Sequence, residues 1–262
     1  MLYPRIIPSL LVHNNGLVKT VRFKDPRYVG DPINAVKILN EKEVDELIVL
    51  DIDATTYKRE PDYKMIENLA FECRMPLCYG GGIKTVSQAQ RIFSLGVEKI
   101  AISSAATESP DIISAIAERV GNQSVVVVLD VRKKLAGDKY EIWTHNGTKN
   151  TGRDCTKFAV EAQKAGAGEI VINSIDDDGM MKGYDRQLIL SIREVLNIPM
   201  TVLGGAGSLD DMGSLIKEHG IIGTAAGSLF VFKGRFRAVL INYPTPSEKE
   251  GLLKHYFLNN WE

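Results

Sequence analysis

Eight short apolar runs, each followed by a stretch with helical signals, constrain most strongly what this chain can fold into. They fall at 5–12, 46–51, 76–79, 98–102, 124–130, 169–174, 199–203 and 222–226. Most carry Val, Ile or Leu on successive residues, as parallel strands covered on both faces do. Eight strand–helix units with short connections favour a closed (βα)8 TIM barrel over an open doubly wound sheet. The 262 residues suit one such barrel, which runs to about 250 residues as a single domain. We assign 1–243 to the barrel and 244–262 to a C-terminal helical tail packed on or near it. Within that tail, Glu248 to Trp261 reads as an amphipathic helix bearing Leu252, Leu253, Tyr256, Phe257 and Leu258, packed on the barrel exterior or presented to a partner.

Helix boundaries follow from local chemistry. Thr85 with Gln88 predicts a capping box, and Ser109-Pro110 predicts an N-cap with proline at the first helical position. Ser208 precedes Asp210 and Asp211, which suit the positive end of a helix dipole. Gly96, Gly121 and Gly166 fall where C-caps belong. Two connections are longer, 13–30 and 131–152, and both follow strands at the face where barrel enzymes build their sites. The second contains Lys139 to His145, which alternates like a small hairpin strand. Trp143 and Trp261 are expected to pack the hairpin and the tail.

Near a half-chain offset the sequence echoes itself. Glu46 and its run correspond to Glu169 and its run, and Gly80-Gly81-Gly82 to Gly204-Gly205-Ala206-Gly207. Such a period implies a barrel made of two similar half-barrels.

Composition excludes several classes. A formal net charge of −1 lacks the basic field of a general nucleic-acid binder. The run Ile6 to Val12 is too short and too interrupted for a signal peptide or membrane span, and no other segment is long enough. Three cysteines, Cys73, Cys78 and Cys155, have no framework spacing and point to a reduced, cytoplasmic setting. Asp176-Asp177-Asp178-Gly179 lacks the ligand array of a calcium loop, and His13, His145, His219 and His255 lack metal spacing. Neither a metal nor a cofactor is expected.

The glycine turns carry the ligand chemistry. Gly81 and Gly82 are followed one unit later by Ser103 and Ser104, and Gly204 and Gly205 by Ala226, Gly227 and Ser228. Glycine lets backbone N–H groups approach an anion, and barrel phosphate sites gather after the last strands. One such turn would only bend the chain sharply. Two related by a repeat predict a ligand phosphorylated at each end and gripped across the barrel mouth.

Taken together with Arg5-Ile-Ile-Pro8, Gly30-Asp31-Pro32, Thr144-His145, Asp178-Gly179 and Gly183-Tyr-Asp185, these motifs resemble the cyclase subunit of imidazole glycerol phosphate synthase, to about residue 240. The resemblance implies a glutaminase partner at the barrel bottom and ammonia passing through the core to a bisphosphate. It also implies lyase and ring-closing chemistry by two aspartates at the ends of strands one and five. It adds Gly179 to the phosphate contacts and maps an ammonia entrance onto Arg5, Glu46, Lys99 and Glu169. On residue type alone those four would be a salt-bridge cluster, where surface pairs contribute about 0–1 kcal/mol each.

One catalytic position departs from the pattern. Asp130 matches the strand-five aspartate, whereas the family's Cys-Leu-Asp-Val is Ser9-Leu10-Leu11-Val12 here, so Leu11 replaces the other. Leucine transfers no proton, and 9–13 contain no acid. Loss of a positioned acid or base costs about 10²–10⁴-fold in rate. The first reading is therefore a divergent paralogue of surface-polysaccharide pathways. There such proteins pass ammonia to a separate amidotransferase acting on a nucleotide-linked acetamido sugar, and Asn14-Asn15 and Lys24 to Tyr28 resemble that subgroup. The second is a true histidine-pathway cyclase in which Asp51 or Asp176 contacts substrate and takes the missing role. A third is a non-catalytic scaffold holding a glutaminase against another enzyme.

Overall fold

The computed structural model describes residues 3–134, 137 and 139–258. Its eight barrel strands are β1 Arg5–His13, β2 Leu47–Asp51, β3 Leu77–Gly80, β4 Lys99–Ile102, β5 Val125–Lys133, β6 Glu169–Ser174, β7 Met200–Leu203 and β8 Gly223–Ala226. Each pairs in parallel with the next, and β1 pairs with β8 through Arg5↔Gly223 to Pro8↔Ala226, which closes the ring. The eight observed strands match the eight predicted runs to within one to three residues at their ends.

Strand pleat decides which residues do chemistry. Successive side chains point to opposite faces. On β5, Val125, Val127, Leu129 and Val131 join the core under the helices, while Val126 and Val128 join a second cluster inside the barrel. The next inward position is Asp130. On β1 the inward column reads Arg5, Ile7, Ser9, Leu11, and on β6 it reads Glu169, Val171, Asn173. Arg5 and Glu169 thus lie at the bottom of their columns, Ile7, Val126, Val128 and Val171 above them, and Asp130 and Asn173 at the top, where β1 instead presents Leu11.

Among the described residues the helices of eight or more residues are α1 Pro32–Glu41, α2 Tyr63–Glu72, α3 Val86–Ser94, α4 Asp111–Val120, α5 Cys155–Lys164, α6 Arg186–Arg193, α7 Leu209–His219 and α8 Pro246–Tyr256. The capping box of Thr85 with Gln88 forms, and Ser208 makes another with Asp211. Gly96, Gly121 and Gly166 all follow helix ends at positive φ. The start of α4 differs from expectation: Pro110 is its N-cap, and no side chain caps it. Ser109 instead ends the preceding helical turn, its N–H bonded to the Ala105 carbonyl.

The tail helix spans Pro246–Tyr256, so it begins two residues before the expected Glu248 and ends before the expected Trp261. It opens with a capping box of Thr245 and Glu248 after Pro244's neighbour Tyr243, and Leu252 and Phe257 are buried. Leu258 is exposed, and Trp261 lies outside the described residues. The helix leans on α7, where the Tyr256 ring lies over Gly213 and its hydroxyl bonds to Asp210. Tyr243 donates to the Ile6 carbonyl at 2.9 Å, and Lys249 pairs with Asp45 at 2.7 Å.

Both long connections fold back as antiparallel ribbons. After β1 come Gly16–Val21 and Lys24–Gly30, a hairpin where the sequence indicates only a long connection. Tyr140–Thr144, anticipated, pairs with β5 and with Lys149–Asp154. Trp143 packs under the Arg132 guanidinium, 4.7 Å from its ring centroid. Among the described residues no helix is long and apolar enough to cross a membrane.

Candidate functional site

A cavity of about 780 Å³ occupies the C-terminal mouth of the barrel. Asp130 and Leu11 both line it. Asp130 accepts a hydrogen bond from Asn173 Nδ2 at 2.8 Å, while Asn173 Oδ1 has no protein partner. Burial pushes the Asp130 carboxyl up to about 7, against the pull of that amide and with a further push from Asp178. A carboxyl near neutrality can give or take a proton at working pH.

A raised acid has a stability signature. Below the unfolded value of 3.8 both states carry the proton, and the contribution is lost as pH rises through about 7. Asp130→Asn, neutral throughout, is expected to gain about 1 kcal/mol or more on the parent between pH 5 and 8. Urea midpoints at the two pH values measure it; an unchanged gap would contradict a buried acid.

Leu11 faces the same space from β1, paired in register with Leu50 of β2. Asp51 also lines the cavity, but its Oδ1 accepts from the backbone N–H groups of Asp53 and Ala54 at 2.8 and 3.1 Å. Burial raises its pKa despite those bonds. Asp176, the other expected substrate contact, lies outside the cavity lining. The turn after β6 aims its carboxylate at the backbone N–H of Lys133 and its carbonyl at Arg22. Asp178 takes the cavity position instead, accepting from Thr20 Oγ1 at 2.6 Å and from the Phe23 N–H at 3.2 Å.

All ten residues named for phosphate, from Gly81 to Ser228, line the same cavity. The glycines are needed for shape. Gly205 has φ +112°, and a Cβ there would stand 2.1 Å from the Gly183 carbonyl oxygen. At Gly81, φ +131°, it would meet the Asp51 carbonyl oxygen at 2.6 Å. Ser103 keeps a buried hydroxyl with no protein partner beside the first glycine turn.

Lys19, on the first hairpin, was not anticipated. Its Nζ donates to the Ser9 carbonyl at 2.6 Å and comes so close to Gly227 that a Cβ there would be 2.3 Å away. Burial pulls its pKa down to about 8, and Asp178 opposes the shift. A lone lysine in the apolar strand Leu17-Val18-Lys19 was the available signal, since lysine is almost never buried without a reason.

At the opposite end the four predicted entrance residues meet. Arg5 bonds to Glu46 and, at 2.7 Å, to Glu169; Lys99 Nζ lies 2.8 Å from Glu46 and 2.9 Å from Glu169. Thr201 adds a hydrogen bond to Glu169 at 2.6 Å. Burial alone would push Glu169 up, but Arg5 and Lys99 outweigh it and hold the carboxyl down to about 2. Between this ring and the cavity the interior is apolar, with Ile7, Ile48, Val126, Val171 and Ala225.

The family described as "Histidine biosynthesis protein" matches residues 5–237. The chain belongs to that family. Within it, the chain is 58% identical over 254 residues to a Vibrio vulnificus protein named "Putative imidazole glycerol phosphate synthase subunit hisF3", covering 97% of this chain and 98% of the relative. It is 51% identical to "Putative imidazole glycerol phosphate synthase subunit hisF2" of Pseudomonas aeruginosa, over 93% of this chain and 97% of that one. Identity to "Imidazole glycerol phosphate synthase subunit HisF" of Dehalococcoides mccartyi is 37%, covering 90% and 92%. The chain is thus a HisF-like barrel with more in common with the numbered paralogues than with this HisF.

Proposed function

We propose that this HisF-like chain is the ammonia-conducting subunit of a glutamine amidotransferase system. It receives ammonia from a glutaminase subunit at the ring of Arg5, Glu46, Lys99 and Glu169. It delivers that ammonia through the barrel for amidation of a nucleotide-linked sugar in surface-polysaccharide biosynthesis, in the cytoplasm. The observation that carries this reading is Leu11, an inert side chain in a cavity that keeps Asp130 and both glycine turns.

Neutral ammonia crosses the apolar interior without the desolvation cost of ammonium, and exclusion of water keeps it unprotonated. The cavity holds a phosphorylated ligand at Gly81, Gly82, Ser103 and Ser104 and at Gly179, Gly204, Gly205, Ala226, Gly227 and Ser228. With one acid of the pair missing, that ligand is bound but not cyclised.

A second reading, a true cyclase, keeps one specific support: Asp51 lines the cavity with a raised pKa. Its ties to two backbone N–H groups hold it as a loop anchor, which favours the first reading. The test is reconstitution. Mixed with the glutaminase subunit and a sugar amidotransferase of the same system, the chain is expected to make amidation glutamine-dependent. Glutamine hydrolysis that stays uncoupled from amidation would overturn the conduit, and rapid turnover of the histidine-pathway bisphosphate would establish the cyclase.

A further inference from the structure

We propose that the basic hairpin after β8 is the docking element for the enzyme that consumes the ammonia, a partner presenting an apolar socket edged by carboxylates. The proposal rests on the conduit reading above. The hairpin pairs Phe232–Lys233 with Ala238–Val239 in antiparallel fashion. Its turn is closed by the Arg237 N–H on the Gly234 carbonyl, with both residues at positive φ. At its tip Phe236 is 90% exposed, followed by Val239 and Leu240 at 43% and 50%. The family-wide match stops inside this hairpin, at residue 237.

The hairpin is joined to the neighbouring ribbon and to the cavity. Arg27, on the ribbon after β1, stacks 5.3 Å from the Phe232 ring centroid, and Arg237 lies 5.7 Å from the same ring. Next to Arg27 stands Tyr28, itself 66% exposed. Arg237 also donates to the carbonyl of Gly179, a residue of the cavity lining, at 2.8 Å. The stretches 24–28 and 232–240 together hold five cations, Lys24, Arg27, Lys233, Arg235 and Arg237, and one acid, Asp25.

Single exposed apolar side chains are ordinary on a protein surface. Aromatic and aliphatic side chains gathered with arginines are the composition of a contact surface, in which aromatic and arginine anchors dominate the binding energy. The charge selects an acidic partner and speeds encounter. The position selects which partner. Ammonia that leaves the cavity mouth into water is protonated and lost as a nucleophile, so a conduit works only with its mouth covered by the consuming enzyme. This hairpin stands beside that mouth, hooked to its Gly179 edge.

The test compares the parent with Phe236→Asp/Arg235→Glu, two exposed positions outside the cavity lining. Surface plasmon resonance measures binding to the sugar amidotransferase and, separately, to the glutaminase. Amidation is driven by glutamine and, separately, by ammonium salt. The double variant is expected to bind the amidotransferase at least about 30-fold more weakly and to lose glutamine-driven amidation in parallel. Glutaminase binding and ammonium-driven amidation are expected to stay at parent values. The milder Phe236→Ser, with circular dichroism as a folding control, should give a smaller loss of the same kind. A double variant that binds and amidates like the parent would overturn the hairpin and leave the conduit reading standing. A parent that neither binds the amidotransferase nor supports glutamine-driven amidation would bring both down. If the variant keeps amidotransferase binding but loses a self-dimer by light scattering, or flotation with phosphatidylserine vesicles, the hairpin serves another occupant and the proposal fails.

Discussion

A Leu11→Asp variant, supplied with ammonium salt and the histidine-pathway bisphosphate, is expected to turn over about 10²–10⁴ times faster than the parent chain. The size follows from what is missing. Leu11 stands on the inward column of β1, lines the cavity that Asp130 lines from β5, and contributes no proton donor or acceptor. The glycine turns that would hold a bisphosphate are already shaped. An aspartate beside Leu50 would be partly desolvated, which raises its pKa and still leaves it able to exchange a proton. Product release in a stopped assay measures the gain. A parent chain already as fast as the variant would end the conduit reading, because Leu11 would then cost the chemistry nothing.

At the other end of the barrel, Glu169→Ala is expected to destabilise the fold by about 3–5 kcal/mol, read from the shift in urea midpoint at pH 7. Glu169 is buried and accepts from Arg5, Lys99 and Thr201 together. Its removal leaves two cations facing Glu46 alone. Breaking a buried ion cluster costs far more than losing a surface pair, because the remaining charges stay desolvated. The pH dependence has a definite sign. Glu169 is held at about 2 against an ordinary 4.5, so its contribution is full above pH 4.5 and is lost as pH falls through about 2. The gap between parent and variant should therefore narrow on acidification below 4.5. Equal midpoints at pH 7 would show that the ring contributes no stability.

The barrel was legible because parallel strands advertise themselves as unbroken apolar runs, and the meeting of Arg5, Glu46, Lys99 and Glu169 only through the family resemblance, since residue type alone indicates a salt-bridge cluster. Asp130 was legible by its position at the end of Val125–Leu129. That Asp178 rather than Asp176 lines the cavity was not legible, because three successive aspartates differ only in which way the turn after β6 aims them. That direction is set by distant groups, Thr20 and Phe23 on the first ribbon, which capture Asp178. Lys19 went unnoticed for the same reason: its burial depends on Ser9 and Gly227, neither adjacent in sequence. Contacts between loops far apart in the chain leave no periodic trace.

The bond from Tyr243 to Ile6, and the pair of Lys249 with Asp45, tie the last segment to the strand that carries Arg5 and to the residue beside Glu46. This has a consequence for biosynthesis. The first strand waits for β8 before its ring can close, and the clasp over it comes later still, so the contacts of longest sequence separation form last. A nascent chain on the ribosome therefore holds an unfinished tube. Proteolytic loss of the final twenty residues would strike first at the charged ring of Arg5, Glu46, Lys99 and Glu169, on the far side of the molecule from the cavity mouth.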